Sequence, residues 1–256
     1  MNAQAFNKLR AERKVEHPEK GLTFSRPNTK LKKLTKAIGR KVRSFDLLAG
    51  YACPFALKCK SCAVPVNGTR TIKDSKTAEF RCYSAMQEVM YPETFAMRYR
   101  NLRLLKDCRS MQGMRDLLLA ALPPGDTVVR LHVSGDFFSN AYYLAWCEVG
   151  WKLLEEQRPV TIYGYTKALP LLVQCAPSPN LRLTLSRGGT NDNLITYLKR
   201  IRDLHECVVV RSEEEAAERG LPLESGDDIM AYNADRDFAI VVHGTQPAKT
   251  KAARGK

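Results

Sequence analysis

The segment VVRLHVSGDFFS at residues 128–139 begins as a β-branched, apolar run and stops abruptly in Ser134-Gly135-Asp136. A helical stretch follows from Asn140 to Gln157, with Ser139 as its N-cap. The same alternation continues along the chain. VTIYGY (160–165) leads into KALPLLVQ, LRLTLS (181–186) into a helix over Asn193–Asp203, and CVVV (207–210) into SEEEAAERG. DFAIVVHG (237–244) closes the series. Strand and helix alternating about five times predict parallel βαβ units. The expected fold is α/β, a partial (β/α) barrel or an open sheet. A full eight-stranded barrel takes roughly 250 residues and would leave nothing for the rest of the chain.

Upstream of that series, Phe95, Tyr99, Leu102 and Leu105 recur at helical spacing and predict a helix from Thr94. Pro92 stands just before its first turn, where proline is tolerated. Met111–Leu122 reads as a second helix, ended by Pro123-Pro124-Gly125. Residues 45–83 are rich in Cys, Pro, Gly and Thr and read as a Cys-rich loop. Residues 1–44 lack a sustained apolar period and read as a loosely ordered basic arm. The organisation expected is an arm (1–44), a single α/β domain (45–248) and a basic tail (249–256).

Charge separates these parts. The chain of 256 residues carries a formal +14, of which residues 1–50 hold +9 and the tail KTKAARGK +4. The remaining 198 residues are nearly neutral. Basic termini neutralise phosphates and bind nucleic acid in a salt-sensitive, sequence-blind way; they also serve simply as solvated ends. Only Phe6, Phe24 and Phe45 are aromatic in the first 50 residues, which argues against base stacking by the arm. No apolar run reaches the roughly 18 residues of a membrane span, and no secretory signal pattern follows Met1. A cytoplasmic protein with no membrane partner is expected.

Four of the eight cysteines fall within residues 53–82, where uniform spreading would put about one. The pattern is Cys53-x5-Cys59-x2-Cys62, with Cys82 twenty residues on. Thiolates gathered on a loop suit an iron–sulfur cluster or another soft metal. Zinc is the rival, although zinc ribbons bring two C-x2-C knuckles together and only Cys59/Cys62 is such a pair. Unligated or redox thiols are the third possibility. Cys108, Cys147, Cys175 and Cys207 adjoin apolar runs and read as small buried hydrophobes.

In parallel α/β folds the ligand site lies at the carboxyl ends of the strands. Polar residues recur there: Ser134-Gly135-Asp136, Thr166-Lys167, Ser186-Arg187 and His243. Gly135 would let a ligand approach the backbone, and Asp136 would offer a carboxylate to an amine or hydroxyl. Arg187 followed by two glycines would hold a phosphate or carboxylate. Turn and N-cap chemistry explains any one of these sets equally well, but together they point to a small polar ligand. His132 either shares the face of Ser134 or is a core histidine. There is no G-x4-G-K-[ST], G-x-S-x-G or H-E-x-x-H. Catalytic residues stay unassigned.

The runs FDLLAGYACPFALKC (45–59), FRCYSAMQE (80–88), VRLHVSGDFFS (129–139), IYGYTKALPLL (162–172), LTLSRGGTND (183–192) and VVHGTQPA (241–248) resemble the phage gene product 88 family. That resemblance implies a phage-encoded protein of the host cytoplasm and attaches no reaction to it. The layout also resembles radical S-adenosylmethionine enzymes, in which three cysteines hold a [4Fe–4S] cluster and a Gly-Gly-Glu motif binds the cofactor's amino group. The likeness implies Cys53, Cys59 and Cys62 as the triplet, Gly135-Asp136 as the motif, and S-adenosylmethionine as a cofactor. The sequence departs from that pattern in its C-x5-C-x2-C spacing, where C-x3-C-x2-C is usual. Its Gly–acid pair is Gly-Asp, 73 residues beyond Cys62. A fourth ligand at Cys82 would close the cluster. Three readings stand: an iron–sulfur protein with a polar-ligand site, a zinc-stapled nucleic-acid-binding protein, or a phage factor that acts on a host protein, with the site groups structural.

Overall fold

The computed structural model describes residues 3–247. The alternation read from the sequence builds one seven-stranded sheet. Its strands are β1 (Phe24–Ser25), β2 (Lys41–Phe45), β5 (Thr127–Leu131), β6 (Thr161–Thr166), β7 (Leu181–Ser186), β8 (Glu206–Val210) and β9 (Phe238–Val241). The order is β1-β2-β5-β6-β7-β8-β9, and every pairing except β1–β2 is parallel. Spatial order follows chain order, so each crossover steps to the next position along one growing sheet. The register sets Phe45 against Leu131, Leu131 against Gly164, Thr166 against Leu185 and Ser186 against Cys207. The carboxyl ends of neighbouring strands therefore share one edge.

The two faces of the sheet are covered differently. On one face Val129, Leu131, Ile162, Leu183 and Leu185 pack against α4 (Pro92–Asp107), α5 (Met111–Ala121), α6 (Asn140–Glu155), α7 (Leu169–Gln174) and α8 (Ile195–Arg202). The face of α4 read from its spacing is buried: Phe95, Tyr99, Leu102 and Leu105 are each 1% exposed or less. Ser139 caps α6 by accepting from the Tyr142 N–H. On the other face Val42, Val128, Tyr163, Cys207 and Phe238 pack against α2 (Thr29–Ile38) and α10 (Ile229–Asn233). Short α9 (Glu213–Glu218) lies near β8.

Among the described residues of the expected arm, 3–44 are not loosely ordered. Helix α1 (Ala3–Glu12) buries Phe6 and Leu9, and α2 buries Leu31 and Leu34. The Tyr99 hydroxyl donates to the Arg13 carbonyl and Arg100 to that of Glu16, tying the segment to α4. Strand β2 is an interior strand of the sheet, so the boundary expected at 44/45 falls inside it. The apolar residues of α2 do keep helical spacing, at 31, 34 and 38, but lysines fill the gaps and mask it. Residues 45–83 are likewise more than loop. Strands β3 (Ser61–Val66) and β4 (Thr69–Asp74) form a hairpin leading to α3 (Tyr83–Met90). The tail at 249–256 lies outside the described residues.

Candidate functional site

The site is assembled at the shared edge of strand ends, beginning with its backbone. After β2 the chain carries Asp46, 3% exposed, whose Oδ1 accepts from the Val133 N–H at 2.8 Å. The Leu47 N–H donates to the Ser134 carbonyl. These bonds join the loop after β2 to the loop after β5. Gly135, at φ +92°, is needed for this junction. A Cβ there would lie 2.7 Å from the Leu47 Cβ. The close approach that this glycine permits is made by the protein's own chain, where the sequence pointed to a ligand.

Asp136 is buried and internally engaged. Its Oδ1 accepts from Thr166 Oγ1 at 2.7 Å and from the Phe137 N–H, and its Oδ2 from the Lys167 N–H at 2.8 Å. Three of the roughly four acceptor positions of the carboxylate are thus filled. Burial raises its pKa, and these donors oppose the shift. The Lys167 side chain turns toward the site and its Nζ reaches Ser186 Oγ at 2.5 Å. Burial works against the Lys167 charge, but Cys59, Asp136, Cys207 and Cys53 raise its pKa. Ser134 donates to Glu88 Oε1 at 3.0 Å. Arg187 pairs with Glu206 at 2.7 Å. His243, exposed, packs its ring 4.9 Å from that of Tyr83. Ser134, Asp136, Thr166, Lys167 and Ser186 therefore belong to one connected edge, with Arg187 beside them and His243 on the segment after β9.

The cysteine segment is folded onto this edge by backbone bonds. The Leu57 and Lys58 N–H groups donate to the Gly188 carbonyl, and the Thr190 N–H to that of Phe55. Gly50, at φ +73°, allows the turn before Cys53 to press on β3; a Cβ there would be 2.5 Å from the Ser61 carbonyl oxygen. The Cys82 N–H donates to Ser61 Oγ. Neighbouring side chains of a strand point to opposite faces, so Cys62 is turned away from Cys82. Its buried thiol instead hydrogen-bonds Tyr51, and its pKa is pushed up to about 12 by burial first, with Glu88 adding.

The thiols that act on one another are Cys53, Cys59 and Cys82. Burial pushes Cys53 well above its ordinary value, and the charges of Asp136, Cys82 and Cys59 push it further. Cys82 is pushed up to about 11 by burial and then by Cys59, while the Ala85 and Ser84 N–H groups of α3 pull the other way. Of the four clustered cysteines, Cys53, Cys59 and Cys82 influence one another, whereas Cys62, which the radical S-adenosylmethionine resemblance placed in a triplet with Cys53 and Cys59, is engaged with Tyr51. Among the described residues, no three His, Cys, Asp or Glu side chains are gathered as ligands of a single metal ion. A zinc ion draws all its thiolates to about 2.3 Å from one centre.

Three supporting residues escape a reading of the sequence. Asp46 registers there only as a charge. Glu88 is fully buried: its Oε1 accepts from the Ala49 N–H, Ser134 Oγ and Arg98 Nη1, while Oε2 has no hydrogen-bond partner. Arg98 forms the other half of that buried pair at 3.2 Å. Glu88 stands in the run FRCYSAMQE, which is the available signal. His132 proves to be a core histidine: β5 ends before it, and its Nε2 pairs with the Tyr142 hydroxyl at 2.8 Å. Burial, then Arg130, lowers its pKa to about 3. Cys147 and Cys207 are buried, and Cys108 and Cys175 pack against the core.

A family model described as gene product 88 matches residues 19–256. The chain belongs to that family. No curated protein and no solved structure matches it. No helix among the described residues is long and apolar enough to cross a membrane.

Proposed function

We propose that this member of the gene product 88 family is an iron–sulfur metalloprotein. Cys53, Cys59 and Cys82 hold a [4Fe–4S] cluster over the carboxyl ends of β5, β6 and β7. These three cysteines would leave room beside the cluster for a small polar ligand, with S-adenosylmethionine the first candidate. The observation that supports this reading is that backbone bonds bring the cysteine segments together at the strand ends: the Glu79 and Phe80 N–H groups donate to the Lys58 carbonyl, the Cys82 N–H to Ser61 Oγ, and the Leu57 and Lys58 N–H groups to the Gly188 carbonyl. When bound, such a cluster supplies one-electron chemistry and a Lewis-acidic iron. Lys167 offsets the negative charge of the thiolates, and Ser186 holds its ammonium in place. Asp136 fixes the Lys167 backbone. The Ser84 and Ala85 N–H groups favour the Cys82 thiolate.

The test is anaerobic purification with an absorption spectrum and metal analysis. A broad band near 400 nm with about four irons per chain supports the cluster. Colourless protein with about one zinc per chain overturns it. Equilibrium dialysis of S-adenosylmethionine against the iron-loaded protein then tests the ligand, with Cys82→Ala as the comparison.

A second reading, nucleic-acid binding, is favoured by a separate observation. Between Lys20 and Phe45 the chain has nine basic residues and no acid. Lys30 and Arg40 are paired with Asp228 and Asp126, whereas Lys32, Lys33 and Lys36 stand exposed on α2 opposite the buried Leu31 and Leu34. Such a face suits a phosphate backbone. The C-terminal tail would add to it. Filter binding of single- and double-stranded DNA between low and moderate salt tests this reading.

A further inference from the structure

A cleft of about 360 Å³ opens at the carboxyl ends of β7, β8 and β9, on the other flank of the cysteine segment. This is within the size range of ligand cavities, roughly 300–1,000 Å³. Arg187 enters it from the end of β7, Arg211 from the end of β8, and Val242 from the end of β9. Lys58 and Phe80 come from the cysteine segment, one residue before Cys59 and two before Cys82. Arg219 stands just past α9.

Two properties of this cleft point to a ligand. The first is charge. Four cations line it (Lys58, Arg187, Arg211 and Arg219) against two carboxylates, Glu79 and Glu215. Lys58 pairs with Glu79, Arg219 with Glu215, and Arg187 with Glu206. Arg211 is exposed, and its guanidinium takes part in none of the ion pairs among the described residues. Its backbone N–H holds Glu215. A guanidinium fork presented this way matches phosphate oxygens. The second property is an apolar floor. Val208 and Val210, both buried, and the half-buried Val242 and Phe80 line the same space. An anion alone would leave the half-buried Phe80 and Val242 wet; a phosphate carrying a flat, weakly polar body would cover them.

We infer that this cleft binds a nucleoside phosphate, with its phosphates on Arg211, Arg187 and Arg219 and its base against Phe80 and the valines. The inference extends the strand-end reading and does not depend on which group the cysteines hold. Bound there, the ligand lies against both limbs of the cysteine segment.

Isothermal titration of the full chain with ATP, adenosine and pyrophosphate tests it, beside Arg211→Gln, Arg219→Gln and, as a remote control on α5, Arg115→Gln. ATP is expected to bind at least tenfold more tightly than adenosine. Arg211→Gln and Arg219→Gln are each expected to weaken ATP at least tenfold, and Arg115→Gln to leave it unchanged. Absence of ATP binding up to millimolar concentration overturns the inference. So does adenosine binding as tightly as ATP, or ATP binding that neither cleft variant weakens. Iron content and the 400 nm band are recorded on the same samples. A failed titration with iron retained strikes the cleft alone, and loss of iron with nucleotide binding intact strikes the cluster alone. Should Arg211→Gln fail to fold, the exposed Arg219 carries the comparison.

Discussion

Thr166 Oγ1 donates to Asp136 Oδ1 at 2.7 Å, and through this bond the end of β6 is tied to the loop that follows β5. The adjacent Lys167 N–H donates to the other carboxylate oxygen. Asp136 thus acts as a clamp between two parallel strands and positions Lys167. Asp136→Asn places an amide donor among these donors. Hydrogen bonds to charged groups contribute about 1.5–3 kcal/mol each. A loss of about 2–3 kcal/mol is expected in urea unfolding, and Thr166→Val added to Asp136→Asn should cost little more. Full additivity of the two substitutions would show that the bond is not the shared cause.

The four clustered cysteines should divide three to one. Cys53→Ala, Cys59→Ala and Cys82→Ala are each expected to abolish most iron incorporation and the band near 400 nm. Cys62→Ala should retain both, because its thiol faces Tyr51. Iron analysis after anaerobic reconstitution reads the difference. Loss of iron in Cys62→Ala with retention in Cys82→Ala would restore the triplet implied by the radical S-adenosylmethionine resemblance.

On the opposite sheet face Asp228, 1% exposed, gathers Arg130 Nε at 3.0 Å, Tyr163 at 2.9 Å, Tyr165 at 3.1 Å and Lys30 at 2.9 Å. It links α2, α10 and the sheet. Burial alone would raise its pKa; Arg130 and then Lys30 outweigh burial and hold it well below the usual range. A depressed carboxyl contributes stability above its unfolded pKa of about 3.9 and loses it as pH falls toward the folded value. Asp228→Asn leaves Arg130 buried without its counter-charge and should cost about 3–5 kcal/mol at pH 7. Between pH 5 and pH 3 the wild type should lose more stability than the variant. Parallel unfolding curves across that window would count against this linkage.

Reversal of the α2 lysines tests the second functional reading. Lys32→Glu, Lys33→Glu and Lys36→Glu together should leave the fold intact, since all three are exposed. If α2 meets a phosphate backbone, the slope of log K against log salt should become shallower by about 2–3, near 0.9 for each phosphate that is no longer neutralised. An unchanged slope would remove α2 from any nucleic-acid interface.

His132 gives a spectroscopic check of the core. With its pKa lowered to about 3, the ring should stay neutral across the range where an ordinary histidine titrates. The unfolded chain binds this proton near pH 6.5, so the group contributes stability above that pH and loses it as pH falls toward 3. Histidine NMR titration should show one imidazole that does not move between pH 5 and 8. Its movement there would contradict the buried pairing with Tyr142.

Strands β5 to β9, the helices between them and the buried face of α4 are legible in the amino-acid order, because each depends on spacing within about a dozen residues. Ser139 as a cap and Pro123-Pro124-Gly125 as a stop act over still shorter range. The concentration of polar groups at the strand ends is legible too, since parallel βαβ units allow only that edge. Packing between distant segments settles the rest. The burial of Phe6, Leu9, Leu31 and Leu34 depends on partners far along the chain, and their short, lysine-filled pattern carries too little local signal. Which thiols come near one another depends on Gly188 receiving Leu57 and Lys58, and on Ser61 receiving Cys82, bonds that no cysteine spacing encodes. Strand alternation then turns Cys62 away from Cys82. Gly135 and Asp136 read as a ligand site from their residue types; packing against Leu47 and Thr166 makes them a joint between strand ends, because close approach and buried charge are satisfied by the protein's own chain.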